Sequence, residues 1–289
     1  MEQVRSAPHT AITAAVIILA GGFMLLAERF APLRRTVEPK LRRMARNLSA
    51  GGVSLALMTL LQAPLLQPVA SWIVRERVGL LQAVRWPRWI ETAIAIVLLD
   101  YSLWWWHWAI HRVPFLWRFH LVHHVDRDLD TTTALRFHFG ELALSIPFRA
   151  AQLIVIGVDT QMLWLWQTIL FASILFHHAN VRFPLGVERL LVRVIVTPRM
   201  HGIHHSDRIE ETNSNWSSLL SVWDYLHRTI RLDVPQERVV IGVPAYQNAS
   251  DVTLGKILLL PFRRQRHDWS PATQHDQPAR ARLPGENKL

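Results

Sequence analysis

Long apolar runs alternate with short charged stretches along this chain, and the spacing is that of helices. Ala11 to Ala27 (AITAAVIILAGGFMLLA) carries no charge and, with its flanks, approaches the roughly 20 residues a helix needs to cross the hydrocarbon core of a bilayer. A secretory signal is the competing reading. Only Arg5 marks a basic leader, however, and the run ends in Glu28-Arg29 without a small-residue cleavage site, so a retained span is expected. Leu48 to Val74 is a second uncharged stretch, broken by Pro64 and Pro68, which predicts a kinked or partly re-entrant helix. A third runs from Trp89 to His111. Glu141 to Gly157 and Gln161 to Phe176 are separated by the turn Gly157-Val158-Asp159-Thr160, and this predicts a helical hairpin entering beside His138 and leaving at His177-His178. The fold class is therefore all-α: a polytopic membrane protein with about four to five transmembrane or re-entrant helices and a cytoplasmic, histidine-rich helical cap.

Orientation follows from the basic residues of the short loops. Arg29, Arg34, Arg35, Lys40, Arg42, Arg43 and Arg46 separate the first two spans, against Arg75, Arg77, Arg85 and Arg88 in the next loop, so the first loop is expected on the cytoplasmic side. Counting onward, span three ends there, and the hairpin leaves and returns there. After the hairpin, Leu190 to Val196 is a short apolar run, Met200 to Ser206 reads as a helix opening after Pro198, and Val239 to Val243 fits one short strand. Three regions result: 1–85, the N-terminal spans and basic loop; 86–232, a membrane-embedded catalytic region; and 233–289, a cytoplasmic extension that loses periodicity and is expected to be disordered from about 261.

Composition sharpens this picture. Half of the 289 residues are hydrophobic and only 19% are charged, which is too apolar for an ordinary soluble enzyme. The chain contains no Cys, which removes a disulfide framework, a cysteine zinc site, an iron–sulfur cluster and a thiolate nucleophile. A net charge of +10 would point to nucleic acid in a soluble domain, but here the basic residues bracket apolar runs, so no nucleic-acid partner is expected.

The 15 histidines are the informative feature, because 11 of them fall between His107 and His205. Residues three and four apart share a helix face, so His107 with His111, His120 with His123 and His124, and His201 with His204 and His205 form three clusters. Isolated His9, His267 and His275 read as ordinary surface or interfacial residues. Eight clustered imidazoles beside apolar spans are hard to keep desolvated unless a metal occupies their lone pairs. One ion rarely takes more than six ligands, so eight to ten histidines argue for two. No HExxH metalloprotease motif and no Glu-rich ExxH pairs are present, leaving an all-nitrogen binuclear site. Such a centre is cationic, and Asp100, two helical turns before His107, is the expected carboxylate that orients an imidazole. The run Trp104, Trp105, Trp106 and Trp108 reads as an interfacial belt, with Trp164 and Trp166 at the opposite interface.

These residues resemble the fatty acid hydroxylase and sterol desaturase superfamily of integral membrane, histidine-rich di-iron oxygenases. The segments DYSLWWWHWAIHR, LWRFHLVHH, ALRFHFGE, FHHANV, VTPRMHGIHHS, TNSNW and SVWDYL look like that family's successive motifs, from Asp100 to Thr229. By this resemblance, His107, His111, His120, His123, His124, His201, His204 and His205 are metal ligands, joined by His178 and His138. The resemblance also brings Asn180, Asn215 and Asp224 in beside the ligands. The chain departs from the pattern at Asn215-Trp216-Ser217, where the family more often has Asn-Tyr-Gly, and at His227-Arg228, where it has Phe-Gly.

The resemblance implies two Fe ions, with Zn as a substitute metal, and O2 as co-substrate in hydroxylating or desaturating an unactivated C–H bond of a lipid such as a fatty acyl chain or sterol. No side-chain acid, base or nucleophile abstracts hydrogen from an alkyl chain, so no catalytic group is expected beyond the metal ligands. Without a GxGxxG fingerprint, electrons are expected from a separate donor: a ferredoxin, flavodoxin or cytochrome with its reductase. Arg118, Arg127, Arg199 and Arg208 are candidates to steer an acidic donor. The expected setting is a bacterial inner membrane with the site on its cytoplasmic side. A non-redox metal transporter or metal-binding membrane protein is the alternative from another class, and a hydrolytic di-zinc enzyme a third reading.

Overall fold

The computed structural model describes residues 3–266. Eleven α-helices follow one another in this part of the chain: α1 (Gln3–Phe30), α2 (Lys40–Glu76), α3 (Arg88–Arg112), α4 (Pro114–His124), α5 (Phe139–Ile156), α6 (Thr160–His178), α7 (Leu185–Leu191), α8 (Pro198–His204), α9 (Ile209–Thr212), α10 (Val222–Leu226) and α11 (Leu254–Leu259). Three helices are long and apolar enough to cross a membrane: Ala11–Phe30, Arg88–Arg112 and Phe139–Ile156. The protein is an integral membrane protein. The segments Lys40–Gln62 and Pro64–Ala83, which together cover α2 and the turn after it, add a fourth span if they count as one; they meet at 43°. That bend has a cause in Pro64, which has no N–H for the helix ladder and crowds the preceding turn.

Short-range signals set the ends of the helices. Pro114 opens α4 at a position where its missing N–H costs nothing, and Pro198 does the same for α8 behind the Thr197 cap. The α5–α6 turn is built on Gly157 at φ 87°, followed by Asp159, whose carboxylate accepts from the Met162 N–H at 2.8 Å. Gly157 also lies against Gly79, at φ 97°; a Cβ on Gly79 would sit 2.4 Å from the Gly157 nitrogen, so the two backbones approach this closely only as glycines.

That glycine contact marks one end of the helical bundle. There Leu80 N–H donates to Val155 O at 3.0 Å, and Arg88 pairs with Asp159 at 2.6 Å. An apolar core including Leu66, Ile73, Leu99, Leu153, Met162 and Trp166 fills the space between α2, α3, α5 and α6. At the other end the C-termini of α1, α3 and α6 meet the N-termini of α2 and α5 beneath a cap made of α4, the 125–138 segment and everything after α6. Glu28 at the end of α1 illustrates the joint, its Oε1 accepting from the Thr131 and Asn180 backbone N–H groups at 2.7 and 3.1 Å.

Three details differ from the sequence reading. Val239–Val243 runs extended but pairs through a single bridge, Ser206 with Ile241, so no strand forms among the described residues. The C-terminal extension keeps its order past 261: Leu260–Phe262 is a 3₁₀ turn, and Arg118 donates to the Pro261 and Arg263 carbonyls at 2.9 Å each. Expected disorder from 267 onward lies outside the described residues. Finally, Trp104 and Trp166 are buried at 3% and 1% exposure and belong to the packed interior, whereas Trp105 at 43% keeps the exposure of a belt residue.

Candidate metal centre

The histidine clusters converge at the capped end of the bundle, but not as three separate faces. They assemble into two groups, one of His107, His111, His120, His124 and His204, the other of His123, His178, His201 and His205; within each group the ligand atoms lie within 4.8 Å of one another. Helical geometry explains the sorting. At about 100° per residue, positions i and i+4 diverge by only about 40°, so His107 with His111, His120 with His124, and His201 with His205 stay together. The middle histidine of each HxxHH stretch turns to the other side. His123 leaves its partners on α4 for the second group, and His204 leaves its partners on α8 for the first. The two stretches thus exchange one imidazole each, and the groups abut where His124 and His205 stack at 4.4 Å between ring centroids.

Nearly all of these imidazoles are buried, and in four of them an outer nitrogen is held in a way that aims the inner one. His107 Nδ1–H donates to the Trp216 carbonyl at 2.7 Å, His204 Nδ1–H to Ser214 O at 2.8 Å, and His178 Nδ1–H to Ile174 O at 2.8 Å. His120 Nδ1 faces Glu141 Oε1 at 3.1 Å. A neutral ring that donates through Nδ1 presents a bare lone pair at Nε2. In the second group the Nε2 atoms converge: that of His178 is 3.0 Å from His123 Nε2 and 3.1 Å from His201 Nε2, which is itself 3.1 Å from His205 Nε2, while the Nδ1 atoms of His123, His201 and His205 are buried without a partner. In the first group, His204 Nε2 and His111 Nε2 are buried with no hydrogen-bond partner. Burial pushes the His204 imidazole down to about 3 and His201 and His205 well below the usual histidine range, so the rings are neutral at physiological pH. Converging neutral lone pairs in a dry site repel unless a cation sits among them, and soft-to-borderline nitrogen donors suit iron or zinc. The residues fit a metal site.

Around this centre runs a layer of buried charge that sequence spacing does not reveal. Asp126, two residues after His124, accepts from Arg43 at 2.8 Å, from Asn47 at 2.9 Å and from Thr133 at 2.9 Å; Arg43 also pairs with Asp130. Burial alone would raise the Asp126 carboxyl, but the Arg43, Arg136 and Arg46 guanidiniums hold it down at about 2. The network ties α2 to the segment that follows α4. Arg34 lies across α8 so closely that a Cβ on Gly202 would collide with its guanidinium, and it donates to the Pro198 carbonyl at 3.0 Å and to Gln236.

Several expected site residues take other positions. His138 joins neither group: its Nδ1 accepts from the Gly140 N–H at 2.9 Å, capping α5, and its Nε2 donates to Leu258 O at 3.1 Å, so both ring nitrogens are committed. His177 also lies outside both groups, and of the adjacent pair it is His178 that the helix turns inward. Asp100 meets no imidazole; about 10 Å of helix rise separates it from His107, and it accepts from the Leu220 N–H at 3.0 Å and Trp223 Nε1 at 2.7 Å. Asp224 gathers Trp216 N, Ser217 N, Trp104 Nε1 and Thr229 Oγ1, thereby fixing the loop whose Trp216 carbonyl holds His107. Asn215, at φ 56°, bridges α8 to the following segment through the Met200 and Arg231 carbonyls. Asn180 pairs with the backbone of Arg34 through both ends of its amide, at 2.8 Å each, and pins the first loop to α6. Of the arginines expected to steer a donor, Arg199 is buried beside Glu188 and Arg118 holds the C-terminal segment, leaving Arg208 as an exposed one. Glu141 is the residue that the histidine pattern missed. Its place at the start of an apolar span, where a carboxylate is costly, was the available signal.

Residues 92–229, a little under half of the chain, match the fatty acid hydroxylase family model. The match marks this segment as a fatty acid hydroxylase domain. The chain is 29% identical over 160 residues to an ornithine lipid hydroxylase, OlsE, of Rhizobium tropici, covering 55% of this chain and 47% of that protein. It is 26% identical over 149 residues to the human alkylglycerol monooxygenase, covering 52% of this chain and 32% of the relative. Mouse cholesterol 25-hydroxylase matches at 26% over 140 residues, 48% of this chain and 46% of its own. The chain thus spans less than half the length of these relatives. No solved structure matches it.

Proposed function

We propose that this protein is an integral-membrane oxygenase that hydroxylates an unactivated C–H bond of a lipid, using O2 and electrons from a separate donor. The observation that carries this reading is the pair of abutting imidazole groups at the end of membrane-spanning helices. The five-histidine group and the four-histidine group would each hold one iron; when bound, the two supply the oxidising power that no side chain possesses. Ligands running along membrane depth would favour a transporter, whereas all nine here gather at one end of the bundle.

The chain's own residues supply position and dryness. Trp216 O, Ser214 O, Ile174 O and Glu141 fix the ring orientations of four ligands. His107 and His111 project from a helix that itself crosses the membrane, so an acyl chain reaches the centre laterally, without crossing water. Burial of the imidazoles excludes water from the reacting atoms. The relatives are a lipid hydroxylase, a monooxygenase and a cholesterol hydroxylase, which favours hydroxylation over desaturation. Electrons would come from a ferredoxin, flavodoxin or cytochrome reaching the capped end; the excess of basic residues in the first loop supports a cytoplasmic position for that end, in a bacterial inner membrane on this reading. Lipid extracts from cells with and without the protein test the reading by mass spectrometry. A lipid that gains one oxygen atom supports hydroxylation, a loss of two hydrogens supports desaturation, and an unchanged lipid profile under reducing, aerobic conditions contradicts both.

A further inference from the structure

Outside the metal centre, at the same end of the molecule, a cavity of about 230 Å³ lies between the start of α2, the loop after α4 and the 249–254 segment. Arg42, Arg46 and Arg127 line it, with Glu38 as the one acidic side chain and Thr253 on the far wall. Glu38 is shared by Arg46 at 3.0 Å and Arg127 at 3.4 Å, and Arg46 also reaches Asp126 at 3.3 Å; Arg42 adds a third guanidinium to the lining, whose one carboxylate is Glu38. Arg46 is nearly buried, its side chain 9% exposed, and its Nε has no hydrogen-bond partner; the Arg127 Nε is likewise buried without one. Arg42 is exposed at the rim.

The backbone at this place adds to the imbalance. Helix α2 begins behind Pro39, with no side-chain cap and no acidic residue in its first turn. Its opening sequence, Lys40-Leu41-Arg42-Arg43, instead puts cations at the positive end of a 37-residue helix. Such an end carries unsatisfied N–H groups and about half a positive charge, and it is stabilised by anions, not by more cations. A cavity, a surplus of guanidinium charge, a nine-tenths buried arginine with an unpartnered nitrogen and an uncapped helix start coincide.

We propose that this cavity binds a phosphate group, taken by Arg42, Arg46 and Arg127 with the first N–H groups of α2. Planar, forked guanidinium donors match phosphate oxygens in number and geometry. The residues lie at the start of α2, just before its uncharged stretch from Leu48, where the headgroup of an anionic lipid and a free phosphate are both within reach. Arg46 also donates to Asp126 at 3.3 Å, so the bound anion abuts the ion-pair network behind His123 and His124. The proposal is independent of the chemistry performed at the metals.

The test uses the full-length, metal-loaded protein in detergent. Thermal unfolding is followed by tryptophan fluorescence while sodium phosphate replaces sodium chloride at constant ionic strength. Phosphate strengthens burial in any protein, so the informative quantity is the difference between wild type and two variants at exposed positions, Arg42→Gln and Ala249→Glu. Saturable stabilisation of the wild type is expected. Its affinity should fall about tenfold in Arg42→Gln, the equivalent of one charged contact, and the effect should vanish in Ala249→Glu, which places a carboxylate at the cavity. A second arm compares nanodiscs of phosphatidylcholine with and without phosphatidic acid. Stabilisation by phosphatidic acid as well as phosphate identifies a lipid headgroup as the source, and stabilisation by phosphate alone identifies a soluble phosphate. The same response in all three proteins, no response of the wild type to either source, or a response only to an acidic peptide such as hexaglutamate would overturn the proposal.

Discussion

His123 and His178, 55 positions apart in the chain, bring their Nε2 atoms to 3.0 Å. His124, adjacent to His123, contributes to the other group and meets His120 Nε2 at 3.2 Å. The one-residue offset on α4 is therefore what divides the site in two, and α8 mirrors it with His204 and His205. A consequence is that each group depends on α4, α8 and one further helix, α3 for the first and α6 for the second. Loss of His201 should empty the second group while leaving the first loaded. Metal analysis of His201→Ala should show about half the wild-type metal per chain. Complete loss from a folded variant would mean that the groups do not bind independently.

Glu141 accepts from His120 Nδ1, and its other oxygen is buried without a partner. Removing the carboxylate in Glu141→Ala frees the ring to rotate, and metal affinity should fall about 10- to 100-fold. Glu141→Gln keeps an acceptor oxygen and should recover much of that loss. Chelator competition on the purified proteins measures both.

Asp126 neutralises a cluster in which Arg43 and Arg136 are fully buried. Converting it to Asn leaves guanidinium charge without its counterion, and Asp126→Asn should cost about 3–5 kcal/mol of stability, far more than loss of a surface pair. Thermal unfolding in detergent reads this directly.

Arg228 occupies the left-handed region at φ 56°. A side chain at that conformation is strained and glycine is not, so Arg228→Gly should stabilise the protein by about 0.5–1 kcal/mol despite removing a side chain. A lower melting temperature would mean that Arg228 makes a compensating contact.

Arg266 grips Asp251 through two bonds of 2.8 and 3.0 Å, and this hydrogen bonding holds the carboxyl below its ordinary value of 3.8. A carboxyl whose folded-state value is depressed stabilises the fold fully above its unfolded value and loses that contribution as pH falls below it. Asp251→Asn should therefore unfold slightly earlier than wild type at pH 7, by about 0.5 kcal/mol, and the gap should close near pH 3. A gap that persists at pH 3 would assign the effect to packing.

Much of this was legible in the residues because membrane spans and helical spacing are local. The apolar runs at Ala11, Leu48, Trp89 and Glu141 became helices, and the i, i+4 histidine pairs stayed together as 3.6-residue periodicity requires. What depends on three-dimensional approach was not legible. Nothing in the spacing of His120, His123 and His124 says that the middle one faces another helix, since its partner His178 comes from α6. His138 looked like a ligand through the family resemblance of the stretch ALRFHFGE, yet it spends both nitrogens on capping α5 and bonding Leu258. Asp100 and Trp104 looked like a metal partner and a belt residue, but each is drawn inward by the 216–224 segment, which lies more than 100 positions away in sequence. Arg43 read as a loop charge fixing orientation, and in the fold it is buried among Asp126 and Asp130.

Metal content and dioxygen uptake measured together, on anaerobically purified wild type and His204→Ala, test the account most directly. The expected result is about two irons per wild-type chain, with reductant-dependent dioxygen uptake that disappears in the variant. Folded wild type that takes up no metal when iron is supplied, or bound metal without dioxygen use under any reductant, would contradict it.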